Sequence, residues 1–93
     1  MSVTVKIPTP LRNLTQNQDT IDVDGGDLRT VVEGLDGQFP GMRERLLDDG
    51  GDIRRFVNIY VNGEDVRFLG GLKTELKAGD EVSIVPAVAG GGR

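Results

Sequence analysis

The fold is decided by one stretch of sequence, Phe56-Val57-Asn58-Ile59-Tyr60-Val61-Asn62-Gly63. Its β-branched residues alternate with Asn58 and Tyr60, and this period of two is typical of a strand with one buried face. The dipeptide Asn62-Gly63 follows at once, and both of its residues tolerate the positive φ angles of a tight hairpin turn. We therefore predict a strand over residues 56–61 and a returning strand over residues 64–68.

The residues before this hairpin predict another hairpin followed by helices. Apolar and polar residues alternate over residues 2–7, and a second short alternating run covers residues 20–24, so these runs are predicted to pair as antiparallel strands. Asp27 is a suitable N-cap for a helix. The apolar positions of that helix recur at the spacing of one helical face: Leu28, Val31, Val32, Leu35 and Phe39. Pro40 is expected to start a second, shorter helix.

The last strand is predicted over residues 81–85, which gives the order strand, strand, helix, short helix, strand, strand, strand. This order suits an α+β fold with the helices on one face of the sheet. The first and last strands are apolar enough to lie centrally and to pair in parallel. We therefore predict a ubiquitin-like β-grasp over residues 1–86, with a mixed sheet of four to five strands, and a flexible Gly-rich tail over residues 87–93.

Composition excludes several classes of function. The chain has 93 residues, enough for one domain, and its net charge of −4 argues against nucleic acid as the main partner. It has no cysteine and no histidine, which excludes thiolate or imidazole metal sites, cysteine nucleophiles and histidine bases. No metal site and no membrane span are expected, and the absence of a signal-peptide pattern predicts a cytoplasmic location.

The tail has the sequence Ala87-Val88-Ala89-Gly90-Gly91-Gly92-Arg93 and carries very little side chain. A segment this slender fits a narrow channel with its backbone pressed against another protein, because glycine has no Cβ to clash. Its reactive group would then be a C-terminal carboxylate. The alternative is a frayed end or a remnant of an expression vector, and the tail alone leaves these interpretations even.

Two segments resemble the sulfur carrier proteins of the MoaD/ThiS family. They are residues 55–72, with the hairpin and Gly70-Gly71-Leu72, and residues 79–91, which end in Pro86-Ala87-Val88-Ala89-Gly90-Gly91. The resemblance covers the whole chain loosely and residues 55–91 closely. Its ending is most similar to the carriers that supply sulfide for cysteine synthesis.

The resemblance implies a co-substrate rather than an enzyme. An E1-like adenylyltransferase and sulfurtransferase would activate the carboxylate of Gly91 with ATP, and a sulfur-accepting synthase would receive the sulfur. No cofactor is expected on this chain, because ATP would bind to the activating partner. Val88, Ala89 and Gly90 would thread the partner's channel. The acceptor stays open: an activated serine ester, a sugar ketone, a thiazole precursor or a pterin.

One departure from the family pattern concerns the terminus. The family ends at the second glycine, Gly91, whereas this sequence continues with Gly92 and Arg93. Either a metallopeptidase removes these two residues or they come from a vector, and Gly92 is the alternative site of activation. Two other functions stay open: a ubiquitin-like modifier conjugated to lysines through the same glycines, and a non-covalent binding module.

A surface for partners is predicted beside the root of the tail. Alternation places Phe56, Tyr60 and Val85 away from the core, and Pro86 adjoins them. We call these four residues the docking patch, because exposed aromatic and apolar clusters are typical of binding surfaces. The alternative is that a loop covers them or that single exposed apolar residues have no role. The arginines, Arg67 among them, are expected to form a solvated or ion-paired surface.

Overall fold

The computed structural model describes residues 2–86, so the predicted tail over residues 87–93 lies outside the described residues. Its strands and α-helices, in chain order, are β1 (Ser2–Lys6), β2 (Thr20–Asp24), α1 (Leu28–Gln38), α2 (Met42–Leu46), β3 (Val57–Val61), β4 (Glu64–Asp65) and β5 (Glu81–Pro86). The sheet order is β2-β1-β5-β3-β4. β1 and β5 are parallel and the other neighbours are antiparallel, which confirms the β-grasp prediction.

The core lies between one face of the sheet and the helices. Val3 and Val5 of β1, with Ile59 of β3, are among its most buried side chains. The predicted helical face is buried at Leu28, Val31, Val32 and Leu35.

The N-terminus of α1 is capped as the sequence predicts. Asp27 Oδ1 accepts hydrogen bonds from the backbone N–H of Thr30 at 2.9 Å and from its hydroxyl at 2.7 Å. These bonds, the hydroxyl first, hold the pKa of Asp27 below its ordinary value.

The second helix begins later than predicted, at Met42 rather than at Pro40. Gly41 has a φ of 102°, a left-handed conformation that interrupts the helical backbone and favours glycine. Asp36 Oδ1 accepts the backbone N–H groups of Gly41 and Arg43, each at 3.0 Å, so a side chain from α1 ties down the start of α2.

The predicted strand over residues 64–68 is too long. Only Glu64–Asp65 pairs with β3, and Val66–Phe68 forms a 3₁₀ turn. Asp65 Oδ1 accepts the backbone N–H of Arg67 at 2.9 Å and so caps the turn, which draws the chain away from the ladder. Val66 is still buried, but Phe68 is 85% exposed.

The hairpin turn between β3 and β4 is linked to the start of β5. Asn62 donates its backbone N–H to the Glu81 carbonyl at 2.8 Å, and its Oδ1 accepts the Glu81 N–H at 3.0 Å. Asp80 accepts the backbone N–H of Lys77 and the side-chain amide of Asn62, and these bonds, the first above all, lower its pKa. The turn thereby anchors the strand that leads to the tail.

Candidate functional site

The candidate site is the end of β5, where the described chain stops at Pro86. Across the β3–β5 ladder, Val57 faces Pro86, Asn58 faces Val85 and Tyr60 faces Ser83. Directly opposed residues point to the same side of a sheet. Since Val57 is buried on the core side, Asn58 and Val85 lie on the outer face, with Tyr60 on the same face two residues along.

Two members of the docking patch are therefore near neighbours on the outer face. Tyr60 and Val85 are diagonal across the ladder, Val85 is 44% exposed and Tyr60 is half-buried. Diagonal neighbours are within reach of an aromatic side chain. Tyr60 and Val85 are therefore neighbours on the outer face, and docking by them stays a prediction.

The other two members lie outside this diagonal pair. Phe56, 51% exposed, is in the turn before β3, one residue outside the ladder, rather than within the predicted strand. Pro86 is half-buried opposite Val57. The Val57 N–H donates to the Arg54 carbonyl, so the backbone of Val57 points away from β5. Pro86 thus occupies a non-hydrogen-bonded position, where its missing N–H removes no bond to β3.

Two exposed apolar residues were missed by the sequence reasoning. Phe68 ends the 3₁₀ turn and is 85% exposed, and Leu69 follows it and is 44% exposed. An unbroken strand over residues 64–68 would have put Phe68 on the same side as the buried Val66. The signal that points to a turn is Asp65, a capping residue placed directly before Val66.

Arg67 bridges this turn to the start of β3. Its Nη2 donates to the Val57 carbonyl at 2.8 Å and to the Arg54 carbonyl at 3.4 Å, and its Nη1 donates to Asn58 Oδ1. Asp65 lies 3.9 Å from the same guanidinium. Arg67 therefore has the ion pair that the sequence predicts, but most of its contacts are with uncharged acceptors.

The docking patch is the part of the predicted site that falls within the described residues. Within residues 2–86, no three acidic side chains come together as metal ligands. No helix in that range has the length and hydropathy needed to cross a membrane. The predicted threading and activation residues, Val88, Ala89, Gly90, Gly91 and Gly92, lie outside the described residues, as does Arg93.

Comparison with known proteins shows the family to which this sequence is related. The sequence model of the ThiS family matches residues 5–91. The chain belongs to the ThiS family. This ThiS-family chain is 52% identical over 93 residues to the sulfur carrier protein CysO of Mycobacterium tuberculosis, covering 98% of this chain and 100% of that protein. The crystal structure of M. tuberculosis CysO matches with a TM-score of 0.88 at 50% identity, over 92% of this chain and 99% of the other.

Two further relatives show the range of the family. A chain in the crystal structure of the Amycolatopsis orientalis BexX/CysO complex matches with a TM-score of 0.90 at 43% identity, covering 96% of this chain and 99% of that one. Small archaeal modifier protein 3 of Haloferax volcanii is 38% identical over 68 residues, 73% of each chain. These relatives are named as carriers or modifiers rather than as enzymes. The predicted resemblance to the sulfur carriers of this family is confirmed.

Proposed function

We propose that this ThiS-family chain is a sulfur carrier whose Gly91 carboxylate is adenylated by an E1-like enzyme and converted to a thiocarboxylate. The thiocarboxylate donates sulfide in the biosynthesis of cysteine or of another sulfur-containing metabolite such as a thiosugar. The observation that carries the proposal is the 52% identity to CysO over nearly the whole chain. The position of β5 supports it, because the residues after Pro86 start from the middle strand of an anchored sheet.

The reaction needs two steps, because a carboxylate is a poor electrophile. A carboxylate oxygen of Gly91 first attacks the α-phosphorus of ATP, and pyrophosphate leaves. Sulfide from a donor then attacks the carbonyl carbon of the acyl adenylate, and AMP leaves with that oxygen. The product is a terminal thiocarboxylate, which is nucleophilic at neutral pH.

The carrier and its partners divide this work. The activating enzyme holds ATP, a sulfur-accepting synthase receives the sulfur, and the carrier supplies a docking surface and a slender terminus. The Amycolatopsis complex of BexX with CysO supports a protein partner for a chain of this type. A metallopeptidase that removes Gly92 and Arg93 would expose the Gly91 carboxylate. All of these reactions take place in the cytoplasm.

Intact-mass measurement tests the proposal. Chain ending at Gly91 is incubated with the cognate activating enzyme, ATP and a sulfide source. We expect the mass of the chain to increase by the difference between sulfur and oxygen. No increase is expected when ATP is left out. If the same enzyme thiolates another carrier but leaves the mass of this chain unchanged, the proposal is contradicted.

A second function is favoured by one observation, the 38% identity to a small archaeal modifier protein. In that case the activated glycine is joined to lysine side chains of other proteins. Peptide mass spectrometry of protein recovered from its own cells separates the two functions. Isopeptide-linked lysines carrying the glycine remnant support the modifier, and a thiocarboxylate terminus without such peptides supports the carrier.

A further inference from the structure

β4 covers only part of the edge of β3 that faces away from β5. The two strands pair only at Tyr60 with Asp65 and at Val61 with Glu64. The backbone of Val57 points towards this edge, because its N–H donates to the Arg54 carbonyl rather than to β5. The Val57 carbonyl therefore needs a hydrogen-bond donor, and no strand within the described residues supplies one.

The Arg67 side chain supplies that partner. Its guanidinium reaches the Val57 carbonyl at 2.8 Å and also holds Asn58 Oδ1. Asp65 orients the guanidinium. It accepts the Arg67 backbone N–H at 2.9 Å, and its carboxylate lies 3.9 Å from Arg67 Nη1. A planar fork of donors can serve several acceptors at once, which a lysine ammonium on a flexible stem does less well.

The two residues held by Arg67 are those that hold the end of β5. Val57 faces Pro86, and Asn58 faces Val85. Because hydrogen-bonded and non-hydrogen-bonded pairs alternate along an antiparallel ladder, Asn58 and Val85 exchange backbone hydrogen bonds. This is the last such pair before the tail.

We propose that Arg67 is a positioning residue that fixes the end of β5 and so aims the C-terminal tail into the activating partner. The role in activation rests on the proposed function, whereas the effect on the strand end does not. Arg67 acts through Val57 and Asn58 and takes no part in the chemistry.

Amide hydrogen exchange tests the effect on the strand. In Arg67→Ala we expect the protection of the Val85 amide to fall about tenfold, while that of Ser83, paired with Tyr60, stays as in the wild type. Arg67→Lys should resemble Arg67→Ala although the charge is kept. Arg55→Ala is the matched control, since Arg55 is exposed and makes no hydrogen bond within residues 2–86, and it should leave Val85 unchanged. Equal loss of protection at Val85 and Ser83, or none at either, would overturn the proposal.

Activation kinetics test the aim of the tail. With the carrier as varied substrate, Arg67→Ala should lower kcat for thiocarboxylate formation about tenfold and change KM little, because small misplacements of reacting groups reduce rate strongly. If the wild type reacts and Arg67→Ala has the wild-type kcat, the positioning role is wrong. If the wild type does not react, the proposed function fails, and the exchange measurement still decides whether Arg67 fixes the strand end.

Discussion

Asn58 and Val85 lie directly opposite each other on the outer face of the sheet, and their side chains differ in what they contact. Asn58 accepts a hydrogen bond from Arg67, whereas Val85 leaves an apolar side chain 44% exposed. If a partner docks here, the restrained Asn58 side chain has little conformational entropy left to lose. This pair makes Val85 the first residue to test for docking.

Val85→Asp should weaken binding to the activating enzyme by about 1–2 kcal/mol, roughly tenfold in Kd, because the interface would bury an unpaired charge. Titration calorimetry with the purified enzyme measures the change. Ala78→Asp is the matched control, since it adds the same charge in an exposed turn before β5, and its Kd should equal that of the wild type. Equal Kd for Val85→Asp and wild type, with unchanged melting temperature, would exclude Val85 from the interface.

Gly91→Ala should reduce adenylation sharply, because a Cβ directly behind the reactive carbonyl does not fit a channel shaped for glycine. The melting temperature should not change, since the residue follows the last strand. Pyrophosphate release with chains ending at residue 91 measures the rate. Wild-type rates for the alanine variant would mean that the channel is wider than proposed.

Chain ending at Arg93 should fail to form a thiocarboxylate, and chain ending at Gly91 should form it. Two extra residues push the carboxylate past the site where the phosphate of ATP is held, and Arg93 adds bulk and charge. Intact masses after incubation with enzyme, ATP and sulfide separate the two forms. Equal thiolation would remove the need for processing, and reaction only of a form ending at Gly92 would shift the site by one residue.

Two glycines of α1 should respond oppositely to alanine. A Cβ on Gly34 would lie 2.8 Å from Val23 Cγ1, and the stiff, buried valine cannot easily move, so Gly34→Ala should destabilise the domain by about 1–3 kcal/mol. A Cβ on Gly37 meets nothing within 4 Å, so Gly37→Ala should stabilise it by about 0.5 kcal/mol. Urea denaturation measures both. A gain in stability from Gly34→Ala would show that α1 lies farther from β2 than the structure has it.

The Asp80 carboxylate should make stability depend on pH. Its folded pKa is lowered, chiefly by the Lys77 backbone N–H, so its contribution is present above the unfolded pKa and is lost as pH falls through the folded pKa. Asp80→Ala should therefore lower the melting temperature at pH 7, and the difference from wild type should disappear in acid. Asp49→Ala, which removes the same charge from an exposed turn, is the matched control. A gap for Asp80→Ala that persists in acid would contradict the assignment.

Local patterns were sufficient to predict most of the sheet and α1. Alternation over residues 57–61 and the Asn62-Gly63 turn are short-range signals, and so is the apolar stripe of α1. The end of β4 was missed because Val66 and Phe68 have the parity of a strand, while the cap from Asp65 changes the backbone course. The contacts of Arg67 with the start of β3 have no local signal, since its acceptor Val57 is 10 residues away in sequence.

The central place of β5 has a consequence for biosynthesis. β5 is the last strand in sequence and the middle one in space, and it joins the pair β2–β1 to the pair β3–β4. During translation these two pairs cannot join into one sheet until residues 81–86 have left the ribosome, because β5 is the strand that lies between them. A chain cut short before Glu81 has no strand to bridge its halves. Completion of the sheet therefore depends on the same strand that carries Val85 of the docking patch.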